Sequence, residues 1–166
     1  MVETELVLCA ILARGGSKGI PGKNLREVAG ISLVGRAVKF GKLLGGRFAV
    51  AISSDDPDIL EEASRFGVDF AHHRSSDLAR DAARSVDAWR DLWLAYERQN
   101  STVVDCSLLL EPTSPMRTLA DVHQVLEALD GDGALSAATV SGIPAHFSPP
   151  KAFRISGGGI LVNSHA

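Results

Sequence analysis

The chain has 166 residues, of which 45% are hydrophobic and 22% are charged, and this composition predicts a single globular domain with its own core. Its 17 basic and 20 acidic residues give a net charge of -3, which argues against DNA or RNA as a partner. No apolar stretch approaches the ~18 residues of a membrane span, and residues 1–5 lack the basic start of a secretory signal, so we expect a cytoplasmic protein.

Apolar runs alternate with amphipathic runs along the chain. This alternation is typical of a mainly parallel sheet that helices cover on both faces. We therefore predict the α/β class with a three-layer αβα, Rossmann-like architecture. The predicted strands, in chain order, are residues 6–12, 48–53, 68–71, 106–110, 134–140 and 159–162.

Four helices are predicted between these strands. The first spans residues 32–44, and the second follows Asp56 as its N-cap, with Pro57 at the first helical position. The third spans residues 86–99 and places its tryptophans on the core side. The fourth begins with Thr118 and Asp121 in capping-box spacing.

The two cysteines, Cys9 and Cys106, lie in apolar strand-like runs and lack C-x-x-C spacing. Two cysteines in a chain of this size do not form a disulfide framework. We expect buried thiols in a reducing compartment rather than a disulfide or a reactive site.

Residues 13–25 follow the first predicted strand and concentrate glycines and cations. They read Ala-Arg-Gly-Gly-Ser-Lys-Gly-Ile-Pro-Gly-Lys-Asn-Leu. Glycines let backbone N–H groups approach an anion closely, and Arg14, Lys18 and Lys23 supply positive charge. The spacing is neither that of a Walker A loop nor that of G-x-G-x-x-G, yet the composition predicts a loop for the phosphates of a nucleoside triphosphate.

Two further polar segments follow predicted strands. Residues 53–56 read Ser-Ser-Asp-Asp, and residues 111–118 read Glu-Pro-Thr-Ser-Pro-Met-Arg-Thr. Each segment alone is compatible with a solvated turn, and the first also with a plain helix cap. Ligands of open parallel sheets bind at the carboxyl ends of the strands, so the three loops together predict one site.

Three segments of the sequence resemble the acylneuraminate cytidylyltransferases, the CMP-sialic acid synthetases and their nonulosonate relatives. The loop 13–25 is the first. Residues 74–81, Arg-Ser-Ser-Asp-Leu-Ala-Arg-Asp, are similar to the family's Arg-Pro-x-x-Leu-Ala-x-Asp, and residues 109–118 are similar to its Leu-Leu-Gln-Pro-Thr-Ser-Pro-Leu-Arg-Thr. The resemblance covers about residues 7–139 and implies a fold of the nucleotide-diphospho-sugar transferase type.

This resemblance implies an enzyme that couples CTP to an acidic nonulosonic sugar of the sialic acid type and releases pyrophosphate. It also implies Mg²⁺ as cofactor. The implied catalytic residues are Arg14 and Lys23. The implied CTP-binding residues are Arg14, Gly15, Ser17, Lys18, Lys23, Asn24, Arg74, Asp81, Ala83 and Ser85. The implied floor between nucleotide and sugar consists of Glu111, Pro112, Thr113, Ser114 and Arg117.

The sequence departs from the family after residue 140. The family's long excursion, which packs across a dimer and supplies sugar-binding cations, is represented here only by residues 140–150. A homodimer is compatible with the resemblance, although this dimer arm is absent. Residues 150–163 resemble the family's return into the core sheet, and no counterpart of its Asp-x-Asp metal segment or final helix follows. We expect one shortened domain over residues 1–166.

Glu111 stands where the family has glutamine. A carboxylate there repels an anionic sugar unless it binds a metal, so we predict Glu111 and Asp55 as replacement Mg²⁺ ligands. A different sugar, or a tolerated substitution, explains Glu111 as well. Two interpretations of the chain stay open: an active cytidylyltransferase, or a catalytically impaired nucleotide-binding remnant or truncated form of such an enzyme.

Overall fold

The computed structural model describes residues 6–17, 19–131, 134–142 and 153–163. The chain forms two compact units, Met1–Leu119 and Ala120–Ala166. The strands of the first unit are β1 (Val7–Leu12), β2 (Glu27–Val28), β3 (Ile31–Ser32), β4 (Phe48–Ser54), β5 (Phe70–His73) and β6 (Cys106–Leu109). Four of them form a parallel sheet in the order β5-β4-β1-β6, whereas β2 and β3 pair separately and antiparallel.

Helices cover both faces of this sheet. They are α1 (Leu33–Leu44), α2 (Pro57–Arg65) and α3 (Ser85–Asn100). One apolar cluster packs α1 and α2 against one sheet face, and a second packs α3 against the other. The predicted three-layer αβα fold with a mainly parallel sheet is confirmed.

Strand β1 forms the centre of the first unit because its side chains are apolar on both faces. Cys9 and Ile11 point into the cluster with α1 and α2, whereas Leu8 and Ala10 point into the cluster with α3. All four are fully buried. Burying a leucine or isoleucine side chain contributes about 1.5–3 kcal/mol, so this strand supplies much of the stability of the unit.

Polar caps fix where α1 and α2 begin. The Ser32 hydroxyl accepts the Gly35 N–H at 2.9 Å and donates to Glu62 of α2 at 2.7 Å. The Asp56 carboxylate accepts the Asp58 N–H at 2.9 Å, as predicted for this N-cap. The Ser32–Glu62 hydrogen bond also joins the start of α1 to α2, and α2 begins three residues after β4 ends.

The second unit contains α4 (Leu119–Gly131), β7 (Phe153–Ile155) and β8 (Leu161–Asn163). The last two strands pair antiparallel as a separate sheet, so the predicted return into the core sheet is wrong. The cause is local: Gly158 and Gly159 have φ of 82° and 79°, conformations that glycine adopts readily and that turn β7 back onto β8.

The predicted strand at residues 134–140 is also wrong. These residues are described and form no strand, and the Leu135 side chain is fully exposed. A strand needs a neighbouring strand for its backbone hydrogen bonds, and the local sequence does not show whether one is present. Within the part of the chain that the structure describes, no helix has the length and apolarity to cross a membrane.

Candidate nucleotide site

The carboxyl ends of the parallel strands open into a cleft of about 640 Å³ in the first unit. The segments that follow β1, β5 and β6 contribute to its wall. Its lining residues are Leu12, Arg14, Ser17, Gly19, Ile20, Lys23, Asn24, Arg74, Arg80, Asp81, Ala83, Ser85, Glu111, Pro112 and Thr113. Two of the three loops that were predicted to meet, residues 13–25 and 111–118, line the cleft, whereas the third, residues 53–56 after β4, does not, and residues from the segment after β5 line it instead.

The loop after β1 is held in place by its own backbone and by one buried amide. Ala13 N–H donates to Ser53 O at 3.1 Å, which continues the pairing of β1 with β4 beyond the strand. Asn24 is buried, and its Nδ2 donates to Arg14 O at 2.9 Å. The first and last parts of the loop are thereby joined across the cleft wall.

Gly15 occupies a position with no room for a side chain. A Cβ built there would lie 2.7 Å from Asp56 Oδ2 and 2.9 Å from Asp56 Cβ. The Gly15 N–H donates to Asp55 Oδ1 at 3.1 Å. Glycine is therefore required here by the close approach of the loop to the end of β4.

Arg74 follows β5 and carries a buried charge at the wall of the cleft. Its side chain is only 5% exposed, and a guanidinium nitrogen lies 3.6 Å from Asp55 Oδ1. Burial lowers the pKa of Arg74, and the neighbouring Asp55 opposes that shift. Its Nε has no hydrogen-bond partner among the described residues. A buried N–H without an acceptor is unfavourable, so this guanidinium is suited to an anionic or carbonyl ligand.

The other cations of the cleft differ in their pairing. Arg14 donates to Asp81 at 2.8 Å across the cleft, and Arg80 pairs with Asp77 at 2.6 Å. The structure records no ion pair for Lys23 with any described residue. Lys23 is thus the cleft cation whose charge is the most available to a phosphate.

Only the first part of the segment after β6 lines the cleft. Glu111, Pro112 and Thr113 line the cleft. Ser114 does not line it and donates its N–H to Glu111 O at 3.1 Å. Arg117 turns toward α1, where its guanidinium lies 5.6 Å from the Phe40 ring centroid and donates to Glu111 O. Burial lowers the pKa of Arg117, and this side chain braces the segment rather than lining the cleft.

Most of the residues predicted for nucleotide binding come together. Arg14, Ser17, Lys23, Asn24, Arg74, Asp81, Ala83 and Ser85 all line the cleft. Gly15 does not line the cleft, and Lys18 lies outside the described residues. Sequence reasoning missed Leu12, Gly19, Ile20 and Arg80. Arg80 carries a signal that was available, because it is a cation inside the second motif.

The metal prediction meets a sparse set of donors. The described residues contain no group of three or more His, Cys, Asp or Glu that could hold a metal ion. Asp55 does not line the cleft, and its Oδ1 is engaged by Gly15 and faces Arg74. Glu111 and Asp81 are the carboxylates of the lining, and Asp81 is paired with Arg14. This donor set fits a Mg²⁺ held mainly by substrate phosphates with Glu111 as its protein ligand.

A parallel sheet with helices on both faces, and a glycine-rich cationic loop at its carboxyl edge, defines the Rossmann-like α/β class. Comparison with protein families narrows this further. The model of the family described as "Cytidylyltransferase" matches residues 8–130. The chain belongs to the cytidylyltransferase family.

Curated relatives resemble the chain at moderate identity. The CMP-N,N'-diacetyllegionaminic acid synthase of Legionella pneumophila is 31% identical over 137 residues, which are 81% of this chain and 59% of that protein. The N-acylneuraminate cytidylyltransferase of Oncorhynchus mykiss is 31% identical over 138 residues, which are 83% of this chain and 31% of that protein. The post-translational flagellin modification protein B of Campylobacter coli is 30% identical, over 73% of this chain and 52% of that protein. The chain thus spans between about a third and three fifths of the length of these relatives.

Solved structures show the same fold. The CMP:2-keto-3-deoxy-manno-octonic acid synthetase complexed with CTP superposes with a TM-score of 0.60 at 22% identity, over 79% of this chain and 50% of that one. A cytidylyltransferase from Leptospira borgpetersenii superposes with a TM-score of 0.57 at 19% identity, over 78% of this chain and 51% of that one. At these identities the likeness establishes the fold.

Proposed function

We propose that the cleft binds CTP and that the chain transfers its cytidylyl group to an acidic nonulosonic sugar, with release of pyrophosphate. The observation that carries this proposal is the meeting of the loop 13–25 with the buried Arg74 at the carboxyl edge of the sheet. Membership of the cytidylyltransferase family supports the cytosine base and the transfer reaction.

In this proposal the cations of the cleft stabilise the negative charge that develops on the phosphates during the reaction. The sugar hydroxyl attacks the α-phosphorus in line, and negative charge spreads over the phosphate oxygens and the departing pyrophosphate. Lys23, which no described carboxylate neutralises, stabilises that charge, and Arg14 joins it when the nucleotide displaces Asp81. Mg²⁺, held by phosphate oxygens and Glu111, would supply Lewis-acid neutralisation of the triphosphate.

The remaining cleft residues position the two substrates. Asp81, Ala83 and Ser85 lie on one short segment and are proposed to surround the ribose and cytosine, with Arg74 beside them. Pro112 and Thr113 are proposed to form the floor under the sugar. A site without a protein nucleophile accelerates the reaction mainly by holding the two reactants in contact, because this makes a bimolecular reaction effectively unimolecular.

A second candidate function is nucleotide binding without turnover. This alternative follows if Glu111, with Asp81 paired to Arg14, does not by itself hold Mg²⁺ productively. For either function we propose a cytoplasmic location, because CTP is the ligand and the structure records no disulfide for Cys9 or Cys106.

Calorimetric titration of the purified chain with CTP, ATP and GTP tests binding, and pyrophosphate release with a panel of nonulosonic acids tests transfer. We expect CTP binding that ATP and GTP do not match, and release with at least one sugar. CTP binding with no release for any sugar establishes the binding-only alternative. Absence of CTP binding contradicts both functions.

Substitution of Lys23 tests whether pyrophosphate release depends on the cleft. We expect Lys23→Ala to lower the rate of pyrophosphate release by about 100-fold or more, because an electrostatic contact at the reacting phosphate is lost. Lys39→Ala is the matched control, since Lys39 is exposed on α1 and does not line the cleft. Equal rates for the two variants would remove Lys23 from the mechanism.

A further inference from the structure

We propose that Asp55 is a positioning residue that fixes the phosphate loop and Arg74 relative to each other. This inference rests on the proposed CTP site, in which the loop holds the triphosphate and Arg74 lies near the nucleoside. Asp55 lies in the second polar segment, directly after β4, and was predicted from sequence as a metal ligand. Its contacts indicate a different task.

One carboxylate oxygen serves both groups. Asp55 Oδ1 accepts the Gly15 N–H at 3.1 Å and lies 3.6 Å from a guanidinium nitrogen of Arg74. The backbone of the same region continues this connection, because Arg74 N–H donates to Ser54 O at 3.0 Å. The loop after β1 and the residue after β5 are therefore linked through the end of β4.

Asp55 also stabilises the positive charge of Arg74. Arg74 is 5% exposed, and a buried cation without a counter-charge is strongly unfavourable. Asp55 supplies that counter-charge, whereas the buried Nε of Arg74 has no hydrogen-bond partner among the described residues. Asp55 thus allows a charged guanidinium to stay buried at the wall of the cleft, which Arg74 lines.

The hydrogen bond from Gly15 to Asp55 also determines which backbone N–H groups of the loop can bind a phosphate. Because the Gly15 N–H is already bonded to Asp55, it is not a phosphate donor in this conformation. The triphosphate must instead be met by the later part of the loop and by its cations. Asp55 therefore sets the distance between the triphosphate end and the nucleoside end of the site, and the affinity for CTP relative to CMP depends on that distance.

Asp69 offers a matched structural control. Its carboxylate also accepts one backbone N–H, that of Val50 at 2.8 Å, and also pairs with one cation, Lys42, at 2.5 Å. It precedes β5, whereas the cleft lies beyond the carboxyl ends of the strands, and it does not line the cleft. Loss of either carboxylate is expected to lower stability, but only Asp55 touches the loop and Arg74.

The experiment compares Asp55→Ala, Asp55→Asn and Asp69→Asn with the unaltered chain. Dissociation constants for CTP and CMP are measured by calorimetry, well below the lowest unfolding midpoint. Hydrogen exchange of the peptide that contains Gly15 is followed without ligand. For Asp55→Ala we expect CTP affinity to fall about 10- to 100-fold, since a contact to a charged group is lost, and CMP affinity to fall less. The loop exchange should accelerate.

Asp55→Asn should bind CTP with intermediate affinity, because its amide oxygen still accepts the Gly15 N–H while the charge beside Arg74 is lost. Asp69→Asn should bind CTP within about twofold of the unaltered chain and leave the loop exchange unchanged, since it touches neither group. Unchanged loop exchange and CTP affinity in Asp55→Ala would overturn the positioning role. So would equal losses of CTP and CMP affinity, or losses in Asp69→Asn as large as those in Asp55→Ala.

Failure of the two proposals gives different results. If the unaltered chain does not bind CTP, the proposed function fails, and the loop exchange of Asp55→Ala still shows whether Asp55 holds the loop. If CTP binds normally and Asp55→Ala changes neither measurement, the positioning role fails while the proposed function stands.

Discussion

Gly15 shows how one atom determines the shape of the phosphate loop. The close approach of Asp56 leaves no space for a Cβ, although Gly15 does not have a positive φ. Gly16, its neighbour, has no atom within 4 Å of the place where its Cβ would be. Two adjacent glycines of one motif therefore serve different purposes, and only the first is required by packing.

Gly15→Ala should destabilise the chain by about 1–3 kcal/mol, the usual effect of an overpacked position. Rotation of the Asp56 carboxylate does not relieve the contact, because Asp56 Cβ itself would lie 2.9 Å from the new methyl group. Urea unfolding followed by tryptophan fluorescence measures the difference. Gly16→Ala is the control and should unfold within about 0.5 kcal/mol of the unaltered chain. Equal losses in both variants would contradict this explanation.

At the level of residues, sequence predicts charge and spacing better than the direction of a side chain. Arg14, Lys23 and Glu111 line the cleft, because the loops that follow neighbouring parallel strands converge at the carboxyl edge of the sheet. Arg117 follows the same motif but packs on Phe40 of α1. Its direction depends on an aromatic ring 77 positions earlier in the chain, and the pattern of a ten-residue motif contains no information on that ring.

At the level of elements, the end of α3 is tied to the strand that follows it through Glu97. Its carboxylate accepts the Trp93 Nε1–H at 2.9 Å and the Val104 N–H at 2.9 Å. The bond from Val104, and then that from Trp93, lower the pKa of Glu97 below its ordinary value of 4.5. The charged form is therefore the one that joins α3 to the segment leading into β6.

This pKa shift predicts a pH dependence of stability. Because the folded-state pKa lies below the unfolded value, the stabilisation is fully present above about pH 4.5 and disappears as the pH falls through the folded pKa. Glu97→Gln removes the titrating group, so its urea midpoint should fall less between pH 7 and pH 3.5 than that of the unaltered chain. Glu61→Gln, an exposed position on α2, serves as the control. An acid response of Glu97→Gln as steep as that of the unaltered chain would refute the assignment.

The accuracy of the element predictions depended on what each element contacts. β1, β4, α1 and α2 begin and end within one residue of the predicted bounds where these were given, because a buried apolar run or a polar cap marks their ends. The pair β2 and β3 was not predicted, since its two-residue strands carry no periodic pattern, and its turn at Ala29 and Gly30 depends on positive φ values of 50° and 75°. Strand pairing at residues 134–140 and 153–163 depends on partners that local sequence does not specify.

At the level of the whole molecule, the two cysteines lie in different strands of the sheet and differ in burial. Cys9 is fully buried in the central strand β1, whereas Cys106 is half-buried in the edge strand β6 of the described sheet. Burial raises the pKa of the Cys9 thiol to about 12. Only about 10⁻⁴ of such a thiol is ionised at pH 8, and the thiolate is the reactive form.

The Cys106→Ser variant isolates Cys9 for measurement. Labelling with a fast thiol reagent in excess at pH 8 should proceed at the rate of global unfolding, because opening a fully buried central strand requires about the free energy of global unfolding. The reaction should accelerate with urea in parallel with the unfolding rate measured by fluorescence. Labelling of Cys9 that is complete in native buffer before any unfolding occurs would contradict the position of β1 at the centre of the sheet.

The strand order β5-β4-β1-β6 also has a consequence for how the protein folds. The Ser107 hydroxyl of β6 donates to Leu8 O of β1 across 99 positions of sequence. The strand of the four-stranded sheet that is synthesised last, β6, therefore pairs with the one that is synthesised first, β1. Such non-local parallel pairing is slow, because loop-closure entropy is lost before the contacts form. Refolding should therefore reach a collapsed state with formed helices before the cleft exists, and recovery of ligand binding should be among the slowest signals in a refolding time course.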